Sequence, residues 1–296
     1  MLDYKQDNYE HREIYDKIFV YSALLPDAPM LHEIMQSLYE KTDGQNIFSK
    51  WLDWYTLGKI SSVDNEINFY DKYHFNALYE KVSDKSKLLK ELYLFSRLKE
   101  TTKKALNHYI KINNIDIPQN SHITSPGPAK YHPNVHNNNY GFTMNFHTDY
   151  TIGEWWWPGD KFLLTCTTYI NDNYLGGEII FYIDGDICEY KPQAGDILVF
   201  PSGNPLYPGG KPYYHGVKVI ESGHKFLVRN YLKYSTNKNQ EFWDQKEREH
   251  GKQEWYRIAA EEAKHKSTLL FEDAFENGQP RKQANYSDLV RQLYGL

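Results

Sequence analysis

The sequence predicts an α+β protein: a core of short antiparallel strands, of barrel or jelly-roll type, braced by N-terminal helices and followed by a helical C-terminal extension. Three observations predict it. Between about residues 113 and 234, short β-rich runs alternate with Gly, Pro, Asn and Asp, the pattern of closed or two-layered antiparallel sheets. Upstream, Leu88, Leu92, Phe95, Leu98, Leu106 and Tyr109 recur close to helical spacing. Beyond residue 235 the chain becomes charged and polar, with scattered aromatics. These shifts divide it into a mainly helical region (1–115), a β core (116–236) and the extension (237–296).

Taken in order, residues 16–21 are apolar enough for a short, half-buried strand. A helix starts at Pro26-Asp27-Ala28-Pro29, with Asp27 as its N-cap and Pro29 in the first turn. Met30, Ile34, Met35 and Leu38 are expected on its buried face, and Gly44 ends it. Residues 45–80 are aromatic and irregular and carry no assignable pattern. The stripe over 86–112 is packing surface for one face of a sheet. Ala129-Lys130-Tyr131 is a strand end, 132–139 a polar loop, and 140–147, 162–171 and 178–183 are strands. Asp184-Gly185 closes a tight hairpin into 186–190. Ala194-Gly195-Asp196 turns into 197–200, with Asp196 as a backbone cap, and 225–234 is the last strand of the core. Residues 241–265 and 287–293 are expected to be helical.

The totals exclude several classes. Hydrophobic residues at 40% and charged residues at 25% are ordinary for a globular chain of 296 residues. A net charge of −5 argues against nucleic acid as an obligatory partner, because such proteins usually present a basic face. The two cysteines, Cys166 and Cys188, suggest a reducing, intracellular setting. The N-terminus is polar and acidic, and no apolar run is long enough to span a bilayer, so a cytoplasmic location without a membrane partner is expected.

Chemistry concentrates in Asn145-Phe146-His147-Thr148-Asp149 and in Tyr213-Tyr214-His215-Gly216-Val217, with Lys225 ten residues beyond His215. Two imidazoles and one carboxylate on one face of a metal form the open site of non-haem iron(II) oxygenases. Three protein ligands leave the opposite positions free for a chelating cosubstrate and O2. The single carboxylate leaves the dication partly uncompensated. Thr148 faces away, because side chains alternate along extended backbone. An isolated His-x-Asp arises by chance in a chain with 12 histidines, so the later spacing carries the weight. His132, His136 and His224 lack a carboxylate at useful spacing. Neither a phosphate-binding Gly-rich loop, a Cys-x-x-Cys pair nor a nucleophile elbow is present.

Several pieces agree in order with one known family: Lys130-Tyr131; His147-Thr148-Asp149; the run from Leu164 to Asp172; Gly176-Gly177-Glu178; Pro192 through Phe200; and His215-Gly216-Val217 through Lys225. In this order the chain resembles the iron(II)- and 2-oxoglutarate-dependent oxygenases, specifically their prolyl 4-hydroxylase-like branch. The match is weak over the first half and good from Pro128 to Tyr234. The resemblance implies a double-stranded β-helix core and an oxidoreductase using Fe(II), O2 and 2-oxoglutarate, with ascorbate as an accessory. The cosubstrate is oxidatively decarboxylated to succinate and CO2 while an unactivated C–H is hydroxylated.

The resemblance also implies roles. Lys225 pairs with the distal carboxylate of 2-oxoglutarate, and a buried ammonium indeed needs an anionic partner. Tyr169 contacts the same carboxylate, with Thr165 on the same strand face. Tyr131 lies near the cosubstrate, although the insert at 132–139 leaves Tyr140 as an alternative. Arg229, four residues past Lys225 on the same face, is either a second cosubstrate anchor or a clamp for a substrate carboxylate or carbonyl. Trp155, Trp156 and Trp157 are expected to form part of a substrate lid, the alternative being a local hydrophobic plug. The expected substrate is a prolyl residue in a protein or peptide. The competing reading is a free amino acid or other small molecule, and the third is a jelly-roll binding module without catalysis.

Overall fold

The computed structural model describes residues 10–22, 24–39, 49–51, 83–118, 121–124, 126–150, 160–203 and 211–235, with isolated positions between 248 and 280. In chain order the strands are β1 (His11–Tyr15), β2 (Ile18–Tyr21), β3 (Ser49–Trp51), β4 (Ser121–Ile123), β5 (Gly127–Tyr131), β6 (Phe142–His147), β7 (Asp160–Tyr169), β8 (Leu175–Gly176), β9 (Ile179–Ile183), β10 (Asp186–Tyr190), β11 (Ile197–Pro201), β12 (Tyr214–Lys218), β13 (Ile220–Ser222), β14 (Lys225–Ser235), β15 (Phe275–Glu276) and β16 (Gln279–Pro280). Two helices accompany them, α1 (Ala28–Tyr39) and α2 (Lys85–Ile112).

The strands form two main antiparallel sheets, consistent with a jelly-roll arrangement. The larger runs β1-β2-β11-β7-β14-β5-β3, with β4 also on β14; the smaller runs β10-β9-β12-β6. Alternation along the strands divides the core. Leu198 and Phe200 of β11, Leu227 of β14, and Ile179 and Phe181 of β9 meet in one buried cluster between the sheets. The residues between them point outward. Phe226 and Val228 join Leu31, Met35, Leu88, Phe95 and Leu98 of the helices, and Ile197 and Val199 join Leu106 and Tyr109. Ile180 and Tyr182 join Phe142, Phe146 and Ala274 on the far face of the smaller sheet. Both faces are buried, so β9 and β11 read as unbroken apolar runs rather than alternating ones.

The structure corrects several expectations. The first strand is a hairpin, β1 on β2, turning at Lys17 with φ 59°. Met30 is 45% exposed, whereas Met35 and Leu38 are buried as expected and Leu31 joins them. The Asp27 carboxylate accepts hydrogen bonds from Arg97 and Tyr93, which ties α1 to α2. Arg97 holds it below the usual carboxylate range despite burial. Asp27 still stands at the start of α1, its carbonyl accepting from the Leu31 amide at 3.0 Å, while at the start of α2 the Asp84 side chain accepts from the Lys87 amide at 3.1 Å. Ala274 and Phe275 return to the smaller sheet, where Phe275 stacks on Phe146. Gly44, most of 45–80, and nearly all of the expected helices at 241–265 and 287–293 lie outside the described residues. Among the described residues, no helix is long and apolar enough to cross a membrane.

Two turns do what their residues require. Asp184 and Gly185 take φ 53° and 88°, closing the β9–β10 hairpin. Gly176 and Gly177, at φ +69° and +71°, bring backbone against β13: a Cβ on Gly176 would lie 2.2 Å from the Val219 carbonyl oxygen. Gly176→Ala is therefore expected to lower the unfolding free energy by at least ~2 kcal/mol. Gly141→Ala shares the positive φ (+79°) but meets nothing within 4 Å, and should cost only about 1 kcal/mol. Urea unfolding of the two variants checks the difference.

Candidate metal centre

β6 ends on His147, and Asp149 follows two residues later. β12 lies between β9 and β6, and its register sets His215 directly opposite His147. The two rings are 4.4 Å apart. Each Nδ1 makes a short contact to the carbonyl oxygen two residues back, His147 to Asn145 at 2.8 Å and His215 to Tyr213 at 3.0 Å. A carbonyl oxygen can only accept, so each Nδ1 carries the proton and each Nε2 keeps its lone pair. Those Nε2 atoms lie 3.7 and 3.5 Å from the two oxygens of Asp149. The three ligating atoms fall within 4.8 Å of one another, so one cation can be held by all three.

Protonation states suit a metal. Burial, then the neighbouring His147, pushes His215 down to about 3, which keeps it neutral. Burial alone would raise Asp149, but His215 and His147 outweigh it and hold the carboxylate ionised. Two imidazoles and one carboxylate form the open donor set that suits iron(II). Thr165 donates to Asp149 at 2.7 Å and lies 2.9 Å from the Ser202 hydroxyl. Its hydroxyl is thus engaged on the carboxylate, on the metal side of the cavity.

That cavity is small and partly open to solvent, and lies between Asp149, His215, Tyr169, Lys225 and Arg229. Lys225 is fully buried and donates to the Gly177 carbonyl at 2.7 Å; its ammonium also lies 4.9 Å from the Tyr169 ring centre. Burial first, then Lys191 and Arg229, push it down to about 7. One carbonyl and an aromatic face do not compensate an ammonium, and an anion beside it would restore its charge. Arg229 donates to the Tyr131 hydroxyl and lies 3.3 Å from the Met144 sulfur.

The structure therefore brings together His147, Asp149, His215, Lys225, Tyr169 and Arg229, with Tyr131 beside Arg229 and Thr165 behind Asp149. Tyr140 packs elsewhere, with Phe275 and the cluster on the outer face of the smaller sheet. His132 and His224 form an edge-to-face pair apart from the metal set. Asp196 accepts from the Gln193 amide at 2.8 Å and from Tyr190, as a turn cap does. Trp155, Trp156 and Trp157 lie outside the described residues. Sequence reasoning missed Ser202, Thr167 and Tyr231. Thr167 lies between Thr165 and Tyr169, and Tyr231 continues the Lys225, Leu227, Arg229 alternation, so both were open to detection. Ser202 gave no signal.

No family model and no curated protein matches the sequence. Among solved structures, the chain is similar to a viral collagen prolyl hydroxylase from Paramecium Bursaria Chlorella virus-1, in a complex with 2-oxoglutarate. Identity is 14%, over 75% of this chain and 97% of that one, with a TM-score of 0.45. It is similar to a Trichoplax adhaerens prolyl hydroxylase bound to a hypoxia inducible factor peptide fragment, at 13% identity over 73% and 83% of the chains and a TM-score of 0.45. A Pseudomonas putida prolyl-4-hydroxylase matches at 12% identity over 77% and 95%, with a TM-score of 0.40.

Thr165→Val keeps the shape and removes the donor to Asp149. Metal affinity should fall roughly 10- to 100-fold with the fold intact, as for other outer partners of ligating carboxylates; isothermal titration with Fe(II) under argon measures it. A second expectation follows from His215, which titrates near 6.5 when unfolded and near 3 when folded. Between those values the unfolded chain binds more protons, so stability falls as pH drops from 6.5 toward 3. The loss is up to ~5 kcal/mol. Metal-free urea unfolding at several pH values checks the slope, which His215→Ala should flatten.

Proposed function

We propose that the chain is an Fe(II)- and 2-oxoglutarate-dependent dioxygenase of the prolyl 4-hydroxylase-like type, built on a double-stranded β-helix core. It hydroxylates an unactivated C–H, with a prolyl residue in a protein or peptide as the substrate. One observation carries the reading. The cavity that reaches the two-imidazole, one-carboxylate set is also lined by a fully buried lysine. A structural metal site would not require a second, uncompensated charge at that depth.

In this reading His147, Asp149 and His215 hold Fe(II), which with 2-oxoglutarate and O2 supplies the oxidising power for the C–H bond. The chain's own residues bind, orient and keep the site dry. Lys225 takes the distal carboxylate of the cosubstrate as a point charge, with Tyr169 beside it. Arg229 and Tyr131 form a second polar anchor toward the metal. Thr165 acts through Asp149, fixing the carboxylate that both the metal and the cosubstrate depend on. Phe200, Val217 and Leu227 complete apolar walls that exclude water. Two free cysteines, one buried, fit the cytoplasmic location proposed. The core at 116–236, the region before it and the extension after it form the proposed division.

Arg229 supports a second reading. A guanidinium near the metal carboxylate also suits the carboxylate of a free amino acid. Succinate release stimulated by free proline or another amino acid, and not by peptides, would establish that alternative.

Anaerobic titration with Fe(II) and 2-oxoglutarate should produce a weak visible metal-to-ligand charge-transfer band. His147→Ala should abolish it. Lys225→Ala should keep it but require on the order of 30- to 100-fold more cosubstrate, the loss of one buried charge-assisted bond. A folded wild type without a band would mean that the ligands do not converge on iron, and the binding-module reading would replace this one. Because Lys225 titrates near 7 in the free protein, cosubstrate affinity should weaken as pH rises above 7, up to about tenfold per unit. Lys225→Arg should remove that dependence.

A further inference from the structure

β6 is irregular on both sides of Met144. It pairs with β12 through His147 with His215, Met144 with Val217, and Phe142 with Lys218. Each interval holds one residue more on β6 than on β12, so a bulge lies on either side of Met144. Bulges re-aim side chains, and this pair does so. In a regular strand Phe142, Met144 and Phe146 would share a face. Phe142 and Phe146 do pack on the outer face of the smaller sheet. Met144 turns instead into the cavity lined by Asp149 and His215. Among the described residues lining that cavity, Met144 alone carries sulfur. Two donors are aimed at it: the Tyr131 hydroxyl is 3.5 Å from the sulfur and an Arg229 nitrogen 3.3 Å. A thioether is a weak acceptor, whereas the oxygen of a sulfoxide is a strong one.

Resting on the function proposed above, we infer that Met144 takes up the oxygen atom when no substrate is bound, and that its sulfoxide closes the site. A thioether sulfur presents a lone pair to the oxidising group. It therefore reacts more readily than the C–H bonds of Val217, Leu227 and Phe200 on the same walls. The step balances. 2-Oxoglutarate and the sulfur lone pair each give two electrons to O2. One oxygen atom enters succinate as CO2 leaves, the other forms the S–O bond, and no proton moves. The new oxygen lies within reach of Tyr131 and Arg229, whose donors already point at the sulfur. Oxidation makes the side chain bulkier and polar, in a small cavity between the metal ligands and Lys225. Cosubstrate then has less room, and the oxidised chain binds it more weakly. With a substrate seated, the oxygen atom has its intended C–H target and Met144 is spared. Methionine sulfoxide reductases reverse this modification on chains they can reach.

The test loads the full chain with Fe(II) and 2-oxoglutarate under argon and records the charge-transfer band. Air is then admitted without any peptide, with catalase present to remove stray peroxide. The chain has 4 methionines, Met1, Met30, Met35 and Met144, and peptide mass spectrometry reads each one. Met144 should gain an oxygen atom at least about tenfold faster than Met30, although Met30 is 45% exposed and Met144 only 7%. Without 2-oxoglutarate neither should change. Returned to argon with fresh Fe(II), the oxidised wild type should need on the order of tenfold more 2-oxoglutarate for the band. Met144→Leu, of similar volume, should titrate alike before and after air. Succinate formed while Met144 stays unmodified overturns the inference. So does an oxygen atom found on Tyr169 or Tyr231 instead, or Met30 oxidised as fast as Met144. A sulfoxide with an unchanged titration, or a shift that persists in Met144→Leu, overturns the closing of the site. A folded wild type without the band overturns the underlying function itself, so the two failures give separate signals.

Discussion

The pairing of β12 against β6 sets two imidazoles face to face, and the rest of the site depends on that register. Side chains alternate with period two, so a slip of one residue would turn His147 or His215 to the opposite face. The register is held by apolar side chains on both faces of the small sheet. Val217 and Met144 point into the space between the sheets, while Phe142, Phe146 and Tyr214 pack on the outer face beneath Ala274 and Phe275. A slip would expose one set and bury polar groups in the other. The site geometry is thus secured by hydrophobic burial well away from the ligands. Carbonyl contacts at Asn145 and Tyr213 then fix the tautomers.

Charge is the second constraint. Asp149 is buried, with Thr165 donating to it and the Tyr231 hydroxyl 3.5 Å from its Oδ1. The Arg229 guanidinium adds a cation nearby that also favours the ionised carboxylate. Lys225 faces the opposite situation, buried among groups that do not compensate it. A buried ammonium near neutrality is unfavourable for folding and favourable for an incoming carboxylate, so the same feature lowers stability and prepares a binding site. The Gly176–Gly177 turn is part of this balance, because the carbonyl that Lys225 does contact belongs to Gly177. Its positive φ angles allow that segment to approach so closely.

The sequence by itself determined α2, much of the β core and the residues that the fold brings to the candidate site. Hydrophobic periodicity located α2, β7, β9, β11 and β14 within one or two residues, because buried apolar side chains leave a period that reads locally. Asp184-Gly185 and Ala194-Gly195-Asp196 specified their turns because few residues tolerate those backbone angles. His147, Asp149, His215 and Lys225 were legible through residue type and spacing. The tertiary structure alone decided what depends on partners distant in sequence. Asp27 meets Arg97, 70 residues away, and Tyr93, 66 away, which no local pattern records. Thr165 belongs to Asp149, and Tyr131 rather than Tyr140 meets Arg229, because strand order brings β5, β6, β7 and β14 around one cavity. Spacing along a chain records which face a residue takes; only packing of one strand against another records what it meets there.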